Sequence, residues 1–190
     1  MKAINPVYHH TVQMLDKEQE WVRLAKESPS NFAPLYVKYY AQIHRYVLQQ
    51  TNNSQLAGDI TSQIFIKAIK NISRYEFRGL PLASWLYRIA KSEVNQMYRE
   101  IKPIKIISID DVQVYTVMQV FEEETSVLNK NKLFQSLAKL KENDLELIKL
   151  RFFENYSFKE IGEILKITEN NAKVKTFRAL HKLKELFYVG

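Results

Sequence analysis

The chain has 190 residues, 46% of them hydrophobic, with four Gly, five Pro and no Cys. That length allows one large domain or two small ones. The composition excludes disorder as the default and argues against a turn-rich all-β fold, and the missing thiols exclude disulfides, thiolate metal sites and cysteine nucleophiles. A formal charge of +7 suggests a polyanionic partner, nucleic acid before membrane surface.

The charge is unevenly distributed. Residues 1–99 carry a net +6, residues 100–128 a net −4 and residues 129–190 a net +5. This pattern suits two DNA-binding bodies joined by a linker that avoids DNA. No apolar run approaches the roughly 18–20 residues of a membrane span. Met1 to Glu20 lacks the apolar core of a signal peptide, so a cytoplasmic protein without membrane insertion is expected.

In chain order, Glu18 to Glu27 reads as a short helix. Ser30 or Asn31 can cap the next one, with Pro34 in its first turn, where a missing N–H costs little. Leu35, Tyr39, Ile43, Tyr46 and Val47 then recur at helical spacing. Gln49 to Gly58 is polar and reads as a loop. Asp59 opens a helix with Ile60, Ile64, Phe65, Ala68, Ile69 and Ile72 on one side. Gly79 and Pro81 punctuate a turn. A long helix follows, its buried stripe formed by Trp85, Leu86, Ile89, Ala90, Val94 and Met97, ending near Arg99.

Lys102–Pro103 breaks that helix. Ile104 to Val120 is rich in Ile and Val, the composition of a short strand, and Glu122, Glu123 and Glu124 follow; the segment reads as an interdomain linker. Helix returns with Leu133, Leu137 and Leu140 on one face. Asn143 with Glu146 can form a capping box for Asp144 to Phe153, and Ser157 with Glu160 forms a clearer one before Ile161, Ile164 and Leu165. Thr168 caps a final helix with Ala172, Thr176, Ala179, Leu183 and Leu186 facing inward.

Ser157 to Phe187 satisfies the pattern of a helix-turn-helix: a short first helix, a tight turn and a second helix with a polar, basic outer face. Gly162 allows close approach of the two helices, Ile167 plugs the turn, and Lys166 occupies the turn position where Gly is usual. A left-handed Lys there costs roughly 1 kcal/mol. On the second helix Asn170, Asn171, Lys173, Val174, Lys175, Phe177, Arg178, His181 and Lys182 avoid the buried stripe. The amides can read base edges or meet phosphates, and the cations can neutralise phosphates. A helical hairpin with a solvated basic face is the competing reading.

Two segments together resemble one family. Tyr75-Glu76-Phe77-Arg78-Gly79-Leu80-Pro81-Leu82-Ala83-Ser84-Trp85-Leu86-Tyr87-Arg88-Ile89-Ala90 resembles the region 2 signature of extracytoplasmic-function sigma factors, the RNA polymerase initiation factors of the sigma-70 superfamily. Ala57 to Ile60 and Phe65 to Ala68 resemble the family's polymerase-binding helix, and Leu137 to Leu183 is similar to region 4. The resemblance implies an all-α fold of two small helical domains joined by a flexible linker. It divides the chain into an N-terminal extension (1–27), region 2 (28–100), an acidic linker (101–128) and the region 4 helix-turn-helix (129–190). It further implies no catalysis and no cofactor or metal. The partners would be core RNA polymerase, double-stranded promoter DNA, its melted single strand and an anti-sigma factor.

By the same resemblance Asp59, Ser62, Gln63, Ile66 and Lys67 face the polymerase. Phe77, Arg78, Tyr87, Arg88, Lys91, Asn95, Tyr98 and Arg99 open and read the minus-ten element, and the basic face of the final helix reads the minus-thirty-five element. Rings and cations suit melted DNA, since aromatic stacking contributes roughly 1–3 kcal/mol per base. Trp85 and Leu86 read as core; Tyr75 is open between core and stacking. The chain departs from the family at Ser62-Gln63 (commonly Gln-Glu), Ser92 (Asn), Gln96 (Asp) and Leu180 (Arg). Two other readings compete. A helix-turn-helix regulator acting without polymerase does not predict the Asp59 helix together with the Trp85 signature. A nucleic-acid enzyme needs clustered carboxylates or metal ligands. The adjacent acids Asp110-Asp111 and Glu122 to Glu124 read as solvated linker charges, and His9-His10 as no metal site.

Overall fold

Nine α-helices carry most of the residues that the computed structural model describes, which are 12–101, 111–123 and 125–189. They are α1 (Val12–Glu27), α2 (Ala33–Thr51), α3 (Ser54–Asn71), α4 (Leu82–Ile101), α5 (Asp111–Phe121), α6 (Val127–Lys139), α7 (Glu142–Ile148), α8 (Phe158–Leu165) and α9 (Glu169–Val189). The chain divides into two compact units; α1 to α4 belong to one and α5 to α9 to the other. His9, His10, Lys102, Pro103, Asp110 and Glu124, singled out above, lie outside the described residues.

In the first unit α2, α3 and α4 pack against one another. Their apolar residues recur every three or four positions, so each helix presents one stripe to a shared core. Leu35, Ile43 and Val47 of α2, Ile64 and Phe65 of α3, and Leu82, Leu86 and Ala90 of α4 are all buried. Trp85 is buried as expected, and Tyr75 joins it with ring centroids 5.3 Å apart, which places Tyr75 in the core.

Two local expectations are corrected. Gln49 to Gly58 is not a loop: α2 runs to Thr51, Asn52 ends it in the left-handed conformation (φ 48°), and Asn53 caps α3 by accepting from the Leu56 amide at 2.9 Å. Two asparagines thus make the whole connection, because Asn tolerates left-handed backbone and caps well. Ser30 and Asn31 do not cap α2. They lie in a 3₁₀ turn, Pro29–Phe32, that runs directly into it, and the Asn31 side-chain amide donates instead to the Leu24 carbonyl near the end of α1. In the expected N-terminal extension, α1 packs on α2 and on the 3₁₀ turn Ile72–Arg74.

In the second unit, the part of the expected linker that is described is also different. Within Ile104 to Val120 the described residues form α5, not a strand. Val114, Val117, Met118 and Phe121 follow helical spacing and are buried, and Phe121 packs on Phe187 of α9 with ring centroids 5.3 Å apart. Burial of that stripe overrides the strand preference of the valines. Helix α7 begins at Glu142 without the Asn143–Glu146 box and continues as a π-helical turn, Lys149–Phe153. The acidic Glu142 and Asp144 in its first turn complement the helix dipole in place of a side-chain cap.

Helices α8 and α9 form the helix-turn-helix. Ser157 and Glu160 make the reciprocal capping box, with the Glu160 amide donating to Ser157 Oγ at 3.2 Å and the Ser157 amide to Glu160 Oε2 at 2.8 Å. Lys166 adopts the left-handed conformation (φ 56°, ψ 45°) expected of the turn position. Thr168 caps α9, accepting from the Asn171 amide at 3.2 Å. The buried stripe of α9 is Ala172, Thr176, Ala179, Leu183 and Phe187; Leu186, expected inside, is only half-buried.

A Cβ on Gly162 would lie 2.8 Å from the Ile167 carbonyl oxygen, a backbone atom that cannot swing away. Gly162→Ala is therefore expected to destabilise the second unit by about 1–3 kcal/mol, the usual cost of overpacking. Chemical denaturation followed by far-UV circular dichroism would read this. The emission of Trp21 and Trp85, both in the first unit, should stay unchanged as an internal control.

Candidate nucleic-acid interface

The turn at Lys166 and the cap at Thr168 set α9 against α8 so that only its apolar stripe is covered. Asn170, Asn171, Lys173, Val174, Lys175, Phe177 and Arg178 are all exposed on its first three turns. Phe177 lies against Phe158 of α8 (ring centroids 5.8 Å), and the Arg151 guanidinium sits 4.6 Å over the Phe158 ring. Burial pushes the Arg151 pKa below its ordinary value, and Glu160 partly opposes this. Neither Arg151 nor Phe158 is among the residues that periodicity or capping points to; only the fold brings them beside the basic face. One turn further along α9 the picture changes. His181 lies 3.5 Å from Glu185, and Lys182 is tied at 2.7 Å to Asp144 of α7. Lys182 therefore helps hold α9 to α7, and the cations of this face that face solvent are concentrated nearer the turn.

In the first unit the loop between the Ile72–Arg74 turn and α4 carries Phe77 and Arg78. Both are exposed, Arg78 lies 3.8 Å from Glu76, and Gly79 takes a positive φ of 70° that bends the chain into α4. Along α4, Asn95 and Arg99 are exposed or half-exposed, as are Arg88 and Lys91. Tyr87 is a correction: it is 1% exposed and packs on Tyr46 (ring centroids 4.9 Å), so it is core and cannot stack on a base. Tyr98 is half-buried and its hydroxyl donates to the Gln50 carbonyl at 2.5 Å, linking α4 to α2. On α3, Asp59, Ser62, Gln63 and Ile66 share an outward face, with Ser62 Oγ donating to the Gly58 carbonyl at 2.9 Å. Lys67 is paired at 2.6 Å with Glu93 of α4. Phe65 points the other way, into the core.

The family description Sigma-70 region 2 matches residues 35–102, and Sigma-70 region 4 matches residues 136–185. The chain belongs to the sigma-70 family. Among curated relatives, the extracytoplasmic-function sigma factor SigM of Bacillus subtilis (strain 168) is 27% identical over 158 residues, covering 82% of this chain and 94% of SigM. Among solved structures, CnrH, determined with the cytosolic domain of CnrY, aligns with a TM-score of 0.60 at 18% identity, covering 90% of this chain and 97% of CnrH. The sigma factor RpoE of Bartonella quintana, determined with the anti-sigma factor NepR, aligns at 0.57 and 18%, covering 84% of this chain and 98% of RpoE. At such identity these neighbours speak for the fold.

The two exposed basic sets of this sigma factor differ in chemistry. The α9 set is amides and cations on a convex helix, suited to a duplex groove and its phosphates. The set in the first unit combines a ring and a guanidinium on a loop with cations along a helix, suited to unpaired bases beside a backbone. Among the described residues no group of His, Cys, Asp or Glu is arranged to hold a metal ion, and no helix is long and apolar enough to cross a membrane.

Proposed function

We propose that this sigma factor docks on core RNA polymerase through the outward face of α3 (Asp59, Ser62, Gln63 and Ile66). Phe77, Arg78, Arg88, Lys91, Asn95 and Arg99 engage the melted minus-ten strand. Asn170, Asn171, Lys173, Val174, Lys175, Phe177 and Arg178 grip the minus-thirty-five duplex. The observation that carries this reading is the presence in one chain of an exposed helix-turn-helix face in the second unit and, in the first unit, a ring-and-cation loop beside a helix with a polar, basic outer face. A regulator working without polymerase has no use for that first unit.

In this reading region 2 comprises 28–100 with α1 added to it, and region 4 comprises 129–190 with α5 packed against it. The protein catalyses no reaction itself and works in the cytoplasm. An anti-sigma factor is a further partner, by analogy with the complex in which the Bartonella relative was determined.

The test is reconstituted transcription on genomic DNA with purified core polymerase. The expected result is a discrete set of start sites that core polymerase alone does not use. Binding to DNA without start-site selection would overturn the reading in favour of a polymerase-independent regulator.

A further inference from the structure

Helix α4 begins at Leu82, and the preceding residue is a proline, so its first amide needs a partner from elsewhere. The Leu82 amide donates at 2.5 Å to Glu18 Oε1 of α1, 64 residues away in sequence. The Glu18 side chain is 3% exposed. Its other oxygen accepts from Lys38 Nζ at 2.5 Å and from the Tyr39 hydroxyl. A buried carboxylate is costly unless it is paired and hydrogen-bonded; here these bonds hold α1, α2 and the start of α4 together. Two turns along α1, Lys26 Nζ donates to the Tyr75 carbonyl at 2.7 Å. Tyr75 opens the loop that Leu82 closes. Between α1 and the loop lies a groove of about 190 Å³ bordered by Gln19, Val22, Arg23, Lys26, Tyr75 and Phe77. Arg23 is held on its own helix by Glu20 and Glu27 and contributes shape to it.

We infer that Glu18 and Lys26 are positioning residues for promoter opening: α1 clamps both ends of the 75–82 loop and so fixes where Phe77 and Arg78 are presented. The inference rests on the reading of that loop given above. Two anchors about 12 Å apart along one rigid helix leave the loop few ways to move. Helix α1 is thereby part of the opening apparatus, acting through Phe77 and Arg78 and touching no DNA itself.

The experiment uses the full chain with core polymerase and reads permanganate reactivity of unpaired thymines on a linear duplex promoter. Lys26→Met keeps the aliphatic stem at an exposed position and should leave folding intact. It should lower opening roughly tenfold, the loss expected when one hydrogen bond to a charged group is removed. Glu18→Gln should do the same or more, with tryptophan emission reporting any loss of stability. Each change is then placed in a Phe77→Ala/Arg78→Ala background. A positioning role predicts no further loss there, whereas a merely structural role predicts that the losses multiply. Losses that multiply, or Lys26→Met opening the promoter normally, would overturn the inference while leaving the loop reading intact. If the Phe77→Ala/Arg78→Ala variant itself opens DNA normally, the loop reading fails and the inference falls with it.

Discussion

Replacing Lys173, Lys175 and Arg178 together with Ala should lower the affinity of the polymerase-bound sigma factor for a duplex carrying its minus-thirty-five element roughly a hundredfold near 0.1 M salt. All three are exposed on α9 and none lies in the buried stripe. Truncating them should leave the fold unchanged. A phosphate that no cation neutralises keeps its condensed counterion, so the slope of log affinity against log salt should become shallower by roughly 2.5 to 3. Fluorescence anisotropy across a salt series measures both quantities. Lys182→Ala is the informative comparison. Its ammonium is engaged by Asp144, so it should change the slope little. An unchanged slope in the triple variant would remove this face of α9 from the interface. A slope change for Lys182→Ala equal to that of Arg178→Ala would extend the interface a full turn along the helix.

Phe65→Ala should cost the first unit about 3–5 kcal/mol, the range for truncating a buried aromatic ring. The ring is 2% exposed and lies among Phe32, Tyr36 and Tyr40, with centroids 6.4, 4.8 and 6.2 Å away. Edge and stacked arrangements of this kind add to simple burial, and a methyl group in its place leaves a cavity between α2 and α3. The measurement is denaturant unfolding followed by tryptophan emission. Asp59→Ala and Ile66→Ala, on the outward face of the same helix, should stay within about 0.5 kcal/mol of the parent and weaken polymerase capture instead. Loss of capture in Phe65→Ala is therefore expected to track the unfolded fraction. Full capture loss by a fully folded Phe65→Ala protein would mean that the ring itself touches the polymerase.

These two expectations divide along the line between what is local in the chain and what is not. The amino-acid sequence alone determined the helical class, the two basic bodies, the Ser157–Glu160 box, the need for Gly at 162, the left-handed Lys166 and the basic face of α9. Apart from the charge balance of the two bodies, which is a sum over composition, each of these is encoded within one or two turns, where periodicity, capping chemistry and backbone conformation act between near neighbours. The family resemblance was legible for the same reason, as contiguous motifs.

Only the tertiary structure decided what depends on distant partners. Tyr87 and Phe77 are both aromatic residues of one signature; Tyr87 is sealed under Tyr46 while Phe77 stays exposed. Lys182 looks like its basic neighbours until Asp144 arrives from α7. The valine-rich stretch before the acidic triplet becomes helix once Phe121 finds Phe187. Glu18 carries no motif at all, and its part in capping α4 exists only because folding brings an amide 64 residues away within reach. Burial and long-range hydrogen bonding are properties of the packed core. No window of sequence contains them, and they select which of the chemically suitable side chains remain open to DNA.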